Sequence, residues 1–246
     1  MQPPQHPFKE IPLPRTALLT LVTLLAQAST HGSELEASQA KPVQWSLQVL
    51  RGSEFQKKWN PVRRWSFSPT LSAFSHHPDH QSLTRDIVAE LNESLADTPV
   101  RRIRLLPAFD HRAKIKVHFI PHADFPKFSK DFGVEATGEN FGLFFIKRNP
   151  RNHIIHATIL LATDKLEGDA LRHFACEEIT QSLGLPNDSA LYRDSIFYDG
   201  DFKAGDPVSL TQRDRQLLNL LYNHLAPGHS PREIDHRITS FWNAQK

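Results

Sequence analysis

The sequence predicts an α+β domain, in which strands and helices occupy largely separate stretches of the chain. Three observations support this class. Several short runs of β-branched and aromatic residues lie between residues 62 and 161, one helical pattern interrupts them, and three more helical patterns follow them. The chain has 246 residues, 39% of them hydrophobic and 16 of them Phe, which is enough to bury a core.

The N-terminal 28 residues have the pattern of a secretory signal peptide. Lys9 and Arg15 precede an apolar run at 17–25, which ends in the small residues Ala26-Gln27-Ala28. This run is shorter than the ~20 residues that span a bilayer, and no later stretch is longer, so we expect no transmembrane segment. The pattern predicts export to the periplasm or the extracellular space.

Cleavage after Ala28 would leave a small, polar linker at 29–41 and a domain at 42–246. The formal net charge of +2, from 29 basic and 27 acidic residues, argues against a dedicated nucleic-acid binder. A single cysteine, Cys176, excludes an intramolecular disulfide and any multi-cysteine zinc module.

The predicted strands are apolar runs bounded by turn residues. The clearest is KIKVHFI at 114–120, which alternates with the period of two that is typical of a half-buried strand. The other predicted strands lie at 62–68, 100–106, 141–147 and 154–161.

The first helix is predicted at 84–97, because its apolar residues recur on one face and Thr84 can cap its start. A second helical pattern begins after Thr163 and continues to residue 183, where Gly184 ends it. The last two helices are predicted at 211–222 and 231–242. The former opens with Thr211-x-x-Asp214, a capping-box pattern.

The helix before Gly184 carries the residues with the most chemical interest. At 100° per residue, one arc holds apolar side chains and the adjoining arc holds polar ones. The apolar arc consists of Leu171, Ala175, Ile179 and Leu183, and the polar arc of His173, Glu177, Glu178 and Gln181. Gly184 then allows the chain to reverse, so that Asn187 could approach Glu177 and Gln181.

The run E-E-I-T-Q-S-L-G-L-P-N-D at 177–188, followed by Ser195-Ile196-Phe197, resembles the exported family called domain of unknown function 2927. The similarity extends over nearly the whole predicted domain. The same run is more distantly similar to the metzincin zinc-peptidase motif H-E-x-x-H-x-x-G-x-x-H-D.

The metzincin resemblance implies a zincin-type fold: a twisted mixed sheet with one helix before it, an active-site-type helix after it and a helical C-terminal part. It implies that Glu178 occupies the general-base position and that an edge strand formed by Phe141, Gly142, Leu143 and Phe144 binds peptide. It also implies structural roles for Gly184, for Asp188, for Phe197 in place of the Met-turn methionine, and for Tyr222 in the closing helix.

The departures from that motif bear on metal binding. Glu177, Gln181 and Asn187 stand where the metzincin motif has three histidines. Amide and carboxylate oxygens suit calcium better than zinc. His173 and Asp199 are candidate replacement ligands, and Glu177, Gln181, Asn187 and Asp188 are a candidate structural calcium site.

Two functions therefore remain open. The first is an exported protein whose metal site has been lost and which binds a peptide or protein. The second is a metal-dependent endopeptidase with substituted ligands and Glu178 as general base. Simpler alternatives for the same residues are that Glu177 and Glu178 form a solvated helix face, and that the amides of Gln181 and Asn187 bond the loop after Gly184.

Overall fold

The computed structural model describes residues 40–51, 61–132 and 140–245. The predicted signal peptide and nearly all of the predicted linker lie outside these residues, so both stay predictions. In the described part of the chain, no helix is long and apolar enough to span a bilayer. The described residues from Pro42 onward form one compact unit.

In the part of the chain that the structure describes, six strands form one mixed sheet in the order β1-β6-β4-β2-β3, with β5 paired to β6. All pairs are parallel except β5 with β6, which is antiparallel. The strands are β1 (Arg64–Trp65), β2 (Thr70–Phe74), β3 (Arg104–Leu105), β4 (Ile115–Ile120), β5 (Gly142–Arg148) and β6 (His153–Ala162). The predicted α+β class and mixed sheet are confirmed.

Within the described ranges, one helix precedes the sheet, one long helix crosses over between β2 and β3, one short helix lies between β4 and β5, and three helices follow β6. The helices are α1 (40–51), α2 (Pro78–Leu95), α3 (Phe125–Ser129), α4 (Gly168–Gln181), α5 (Gln212–Asn219) and α6 (Pro231–Asn243). A π-helical turn, Leu220–His224, continues α5. The helix α1 was not predicted, although Trp45 and Val49 on it are fully buried.

Several predicted boundaries are wrong. Helix α2 begins at Pro78 and is capped by His77, whose side chain accepts from the backbone N–H of Asp79. Thr84 is therefore not a cap; it lies inside the helix and its hydroxyl donates to the carbonyl of His80. The predicted strand at 100–106 shortens to Arg104–Leu105, since Arg101 has a positive φ that interrupts an extended chain.

The core has two parts, one on each face of the sheet. In β4 the side chains of Ile115, Val117 and Phe119 enter the larger cluster, which is shared with α2, α4 and the C-terminal helices. A smaller cluster under α3 includes Phe125, Leu143 and Phe145. The α4 helix thus packs on one face of the sheet, and α3 covers part of the other.

Candidate functional site

The acidic pair of α4 is buried. Glu177 and Glu178 are each 6% exposed. Ala175 and Ile179, on the apolar arc of the same helix, are fully buried. The alternative that the two acids form a solvated helix face is therefore wrong, because the sheet and the C-terminal region enclose both sides of this helix.

Glu178 lies directly against the first residue of β5. A Cβ atom built on Gly142 would be 2.5 Å from Oε1 of Glu178 and 3.0 Å from its Cγ. Real Cβ atoms essentially never come that close, so any other residue at position 142 would force the Glu178 side chain to move. The structure thereby brings together the predicted general base and the predicted edge strand.

The backbone of β5 presents hydrogen-bonding groups away from β6. The carbonyl of Phe141 accepts from the N–H of Ala162, and Gly142 is paired with Leu161. In an antiparallel pair, residues that bond to the neighbour alternate with residues that face the other way. The N–H and C=O groups of Gly142, Phe144 and Ile146 consequently point away from β6. Among the described residues, β5 pairs with β6 alone.

The side chains of β5 anchor this strand from both faces. Leu143 and Phe145 are buried in the smaller cluster, where Phe145 stacks on Phe132 with ring centroids 4.5 Å apart. Phe144 and Ile146 are partly buried against the larger cluster on the α4 side. Because side chains pack on both faces, β5 is held in position. The N–H and C=O groups on its outer edge still point away from β6.

His173 and Glu177 face each other one helical turn apart. Nδ1 of His173 lies 2.6 Å from the carbonyl oxygen of Pro207, so this nitrogen carries the proton that it donates. Nε2 lies 3.7 Å from Oε2 of Glu177. Burial lowers the pKa of His173, whereas the hydrogen bond to Pro207 and the charge of Asp206 oppose that shift.

The two amides at the substituted histidine positions are engaged in hydrogen bonds. Nε2 of Gln181 donates to Oδ1 of Asp188 at 2.7 Å, which ties the helix to the loop after Gly184. Nδ2 of Asn187 donates to the carbonyl of Gln48 on α1 at 2.8 Å. These hydrogen bonds agree with a structural role for the two amides. Metal ligation by either residue stays a prediction.

The donors present do not fit a zinc site of the metzincin type. In the described ranges, no group of three or more His, Cys, Asp and Glu side chains could hold a metal ion. Asp199 is exposed, and its backbone N–H bonds to the carbonyl of Ser189. His173 and Glu177 supply two donors, whereas catalytic zinc takes three from the protein.

The loop after Gly184 folds back beneath α4. Gly184 has a φ of 120°, and a Cβ there would overlap the carbonyl oxygen of Arg63. The hydroxyl of Tyr222 donates to the carbonyl of Leu183 at 2.8 Å. Phe197 is fully buried, and its backbone pairs with Ser189. These contacts position the loop, although the predicted roles of the individual residues stay predictions.

Asp214 is a structural residue that sequence reasoning identified only as a cap. Its carboxylate accepts from the hydroxyl of Ser195 at 2.7 Å and from the N–H of Ile196 at 3.2 Å. It also closes the capping box with Thr211. The capping pattern was visible in the sequence, whereas the bonds to the 195–196 turn join residues 18 and 19 positions away.

Two kinds of comparison with known proteins give matches. Residues 46–240 match the family described as "Protein of unknown function (DUF2927)", and the chain belongs to that family. Two solved structures of myroilysin are similar, at 13% and 11% identity and TM-scores of 0.38 and 0.37. They cover 66% and 70% of this chain, and 98% and 88% of their own chains. No curated protein matches.

Proposed function

We propose that this member of the DUF2927 family is an exported protein that binds an extended peptide or protein segment along the outer edge of β5 and does not hydrolyse it. Export rests on the signal-peptide pattern of residues 1–28. The observation that carries the binding function is the outward backbone of Gly142, Phe144 and Ile146.

Strand addition is the mode of binding that such an edge supports. A peptide laid against β5 would exchange main-chain hydrogen bonds with three residues that are already held in extended conformation. Only the peptide would lose conformational entropy on binding, because Leu143 and Phe145 already fix β5 in the core. The buried carboxyl group of Glu178 lies against the Gly142 end of this edge.

The absence of hydrolysis is proposed from the chemistry of the donors. Peptide hydrolysis by a zincin needs a metal-activated water, and the ligand positions here hold one carboxylate and two amides. The amide nitrogens of Gln181 and Asn187 bond to Asp188 and Gln48. Glu178 without such a water lacks a nucleophile to activate.

Binding of reduced, carboxymethylated α-lactalbumin, which is an unfolded chain, tests the proposal by fluorescence anisotropy. Ile146→Pro removes one outward N–H without removing a bond to β6, and it should weaken binding about tenfold, the loss of one to two hydrogen bonds. Ile146→Ala is the matched control, because it shortens the same side chain and keeps the N–H. Equal affinity of Ile146→Pro and Ile146→Ala, or no binding by the wild type, would contradict the proposal.

The endopeptidase remains the second candidate, favoured by the position of Glu178 against the strand that would hold a substrate. The same α-lactalbumin can be followed by electrophoresis. Cleavage that is sensitive to a chelator and abolished in Glu178→Gln would establish the peptidase and overturn the non-hydrolytic proposal.

A further inference from the structure

Two segments that contribute strands to the sheet carry basic residues and no acidic residue. Residues 111–123 contain Arg112, Lys114 and Lys116, and residues 140–163 contain Lys147, Arg148 and Arg151; neither segment contains Asp or Glu. The whole chain has a formal net charge of only +2. In a nearly neutral protein, these two segments give a local excess of positive charge where they meet.

The sheet places these segments side by side. β4 and β5 flank β6, and Lys116 is paired with Thr158, which is paired in turn with Phe145. Cross-strand partners share a face of the sheet, and so do residues two apart along a strand. Lys147 and its partner His156 therefore lie on the same face as Lys116, the face opposite α4. We call Lys114, Lys116, Lys147 and His156 the basic sheet face.

The helix α3 covers only the other end of this face, where Leu143, Phe145 and Leu160 are buried. Lys114 and Lys147 are exposed, and Lys116 and His156 are half-buried. The ammonium of Lys147 lies 5.2 Å from the ring centroid of Phe132. That of Lys116 lies 5.9 Å from the ring centroid of Phe74. The end of the face that α3 leaves open thus combines cations with aromatic rings.

The three lysines disfavour a further positive charge on this face. Burial lowers the pKa of His156, and Lys116, Lys147 and Lys114 lower it further. The ion pairs formed within the described residues involve none of the three lysines. An anion placed over this face would offset the positive charge of these lysines.

We propose that the basic sheet face binds the anionic headgroups of a phospholipid bilayer. The lysines lie on β4 and β5, on either side of β6, so with strands about 4.8 Å apart they form a two-dimensional patch roughly 10 Å wide. A patch matches a plane of headgroups better than a linear acidic chain, which needs a row of cations.

Vesicle co-sedimentation of the full chain tests this binding. Vesicles of phosphatidylcholine with about one third phosphatidylglycerol should bind the protein at low salt, and raising the salt should release it by screening. Lys116→Gln/Lys147→Gln should weaken binding about 30-fold, at about 1 kcal/mol per lysine. Arg85→Gln/Arg232→Gln removes the same charge from exposed positions on α2 and α6 and should change binding less than about threefold.

Three results would overturn the proposal. The first is equal binding to pure phosphatidylcholine vesicles, which would indicate an apolar contact. The second is an equal loss in the two double variants, which would indicate net charge alone. The third is binding to soluble poly-glutamate without binding to vesicles, which would assign the face to an acidic chain. Circular dichroism of each variant verifies that the fold is retained.

Discussion

At the scale of single residues, Gly142 connects the sheet to the acidic pair on α4. Its importance comes from the side chain that it lacks, because Oε1 of Glu178 occupies the space that a Cβ would need. A glycine in a strand normally weakens it. Here the glycine lets a buried carboxylate touch an edge strand, which is the arrangement on which the proposed function depends.

We expect Gly142→Ala to destabilise the protein by about 1–3 kcal/mol, the usual cost of overpacking a buried site. Urea unfolding followed by tryptophan fluorescence measures the change. The clash is specific, so the same substitution should cost almost nothing in a Glu178→Ala background. Additive effects of Gly142→Ala and Glu178→Ala would show that the two residues do not meet.

At the scale of elements, two helices begin with the same capping box in different environments. In α5, Asp214 is fully buried and also bonds Ser195 and Ile196. In α6, Glu233 closes an exposed box with Ser230. Burial raises the pKa of Asp214, and its four donors oppose that rise. The buried capping box therefore links α5 to the loop beneath α4, whereas the exposed capping box only caps the start of α6.

This difference predicts unequal costs for the same truncation. Asp214→Ala leaves buried donors without an acceptor and should destabilise the protein by about 3 kcal/mol. Glu233→Ala, the matched control, should cost about 1 kcal/mol or less. Denaturant midpoints of the two variants test the comparison, and similar values would mean that the bonds to the 195–196 turn contribute little.

At the scale of the whole molecule, the metal content depends on how the loop after Gly184 meets α1 and α4. Nδ2 of Asn187 donates to Gln48, and His173 lies beside Glu177 as a pair of possible metal donors. We expect the mature protein, purified without a metal-affinity tag and dialysed against micromolar chelator, to contain far less than one zinc per chain by elemental analysis. Added calcium should leave its melting temperature unchanged.

Stoichiometric zinc that survives the chelator would contradict this expectation. In that case His173→Ala identifies the ligand: loss of the zinc in this variant would assign it to the pair of His173 and Glu177. Retention of the zinc would instead direct the search to residues that the structure does not describe. A rise in melting temperature with calcium would favour the site of Glu177, Gln181, Asn187 and Asp188.

Local patterns predicted much of the fold because they depend on near neighbours. The alternation in β4 and the capping box at Thr211 were read correctly from a few residues each. The start of α2 was predicted wrongly, because Pro78 and the histidines around it resemble a loop. The first turn of this helix is stabilised by the burial of its later turns. The helix α1 was missed for a similar reason, since its stability comes from packing Trp45 against distant residues such as Tyr192 and Trp242.

The sequence by itself determined the strand and helix classes, the glycine turn at Gly184 and the presence of acids and amides where a zinc motif has histidines. Only the tertiary structure decided what those side chains meet: Glu178 meets Gly142, Gln181 meets Asp188, and Asn187 meets Gln48 on a helix 139 residues earlier. The physical reason is that helix and strand periodicities depend on bonds between near neighbours. The partner of a buried polar group depends instead on which distant segments the apolar core brings together.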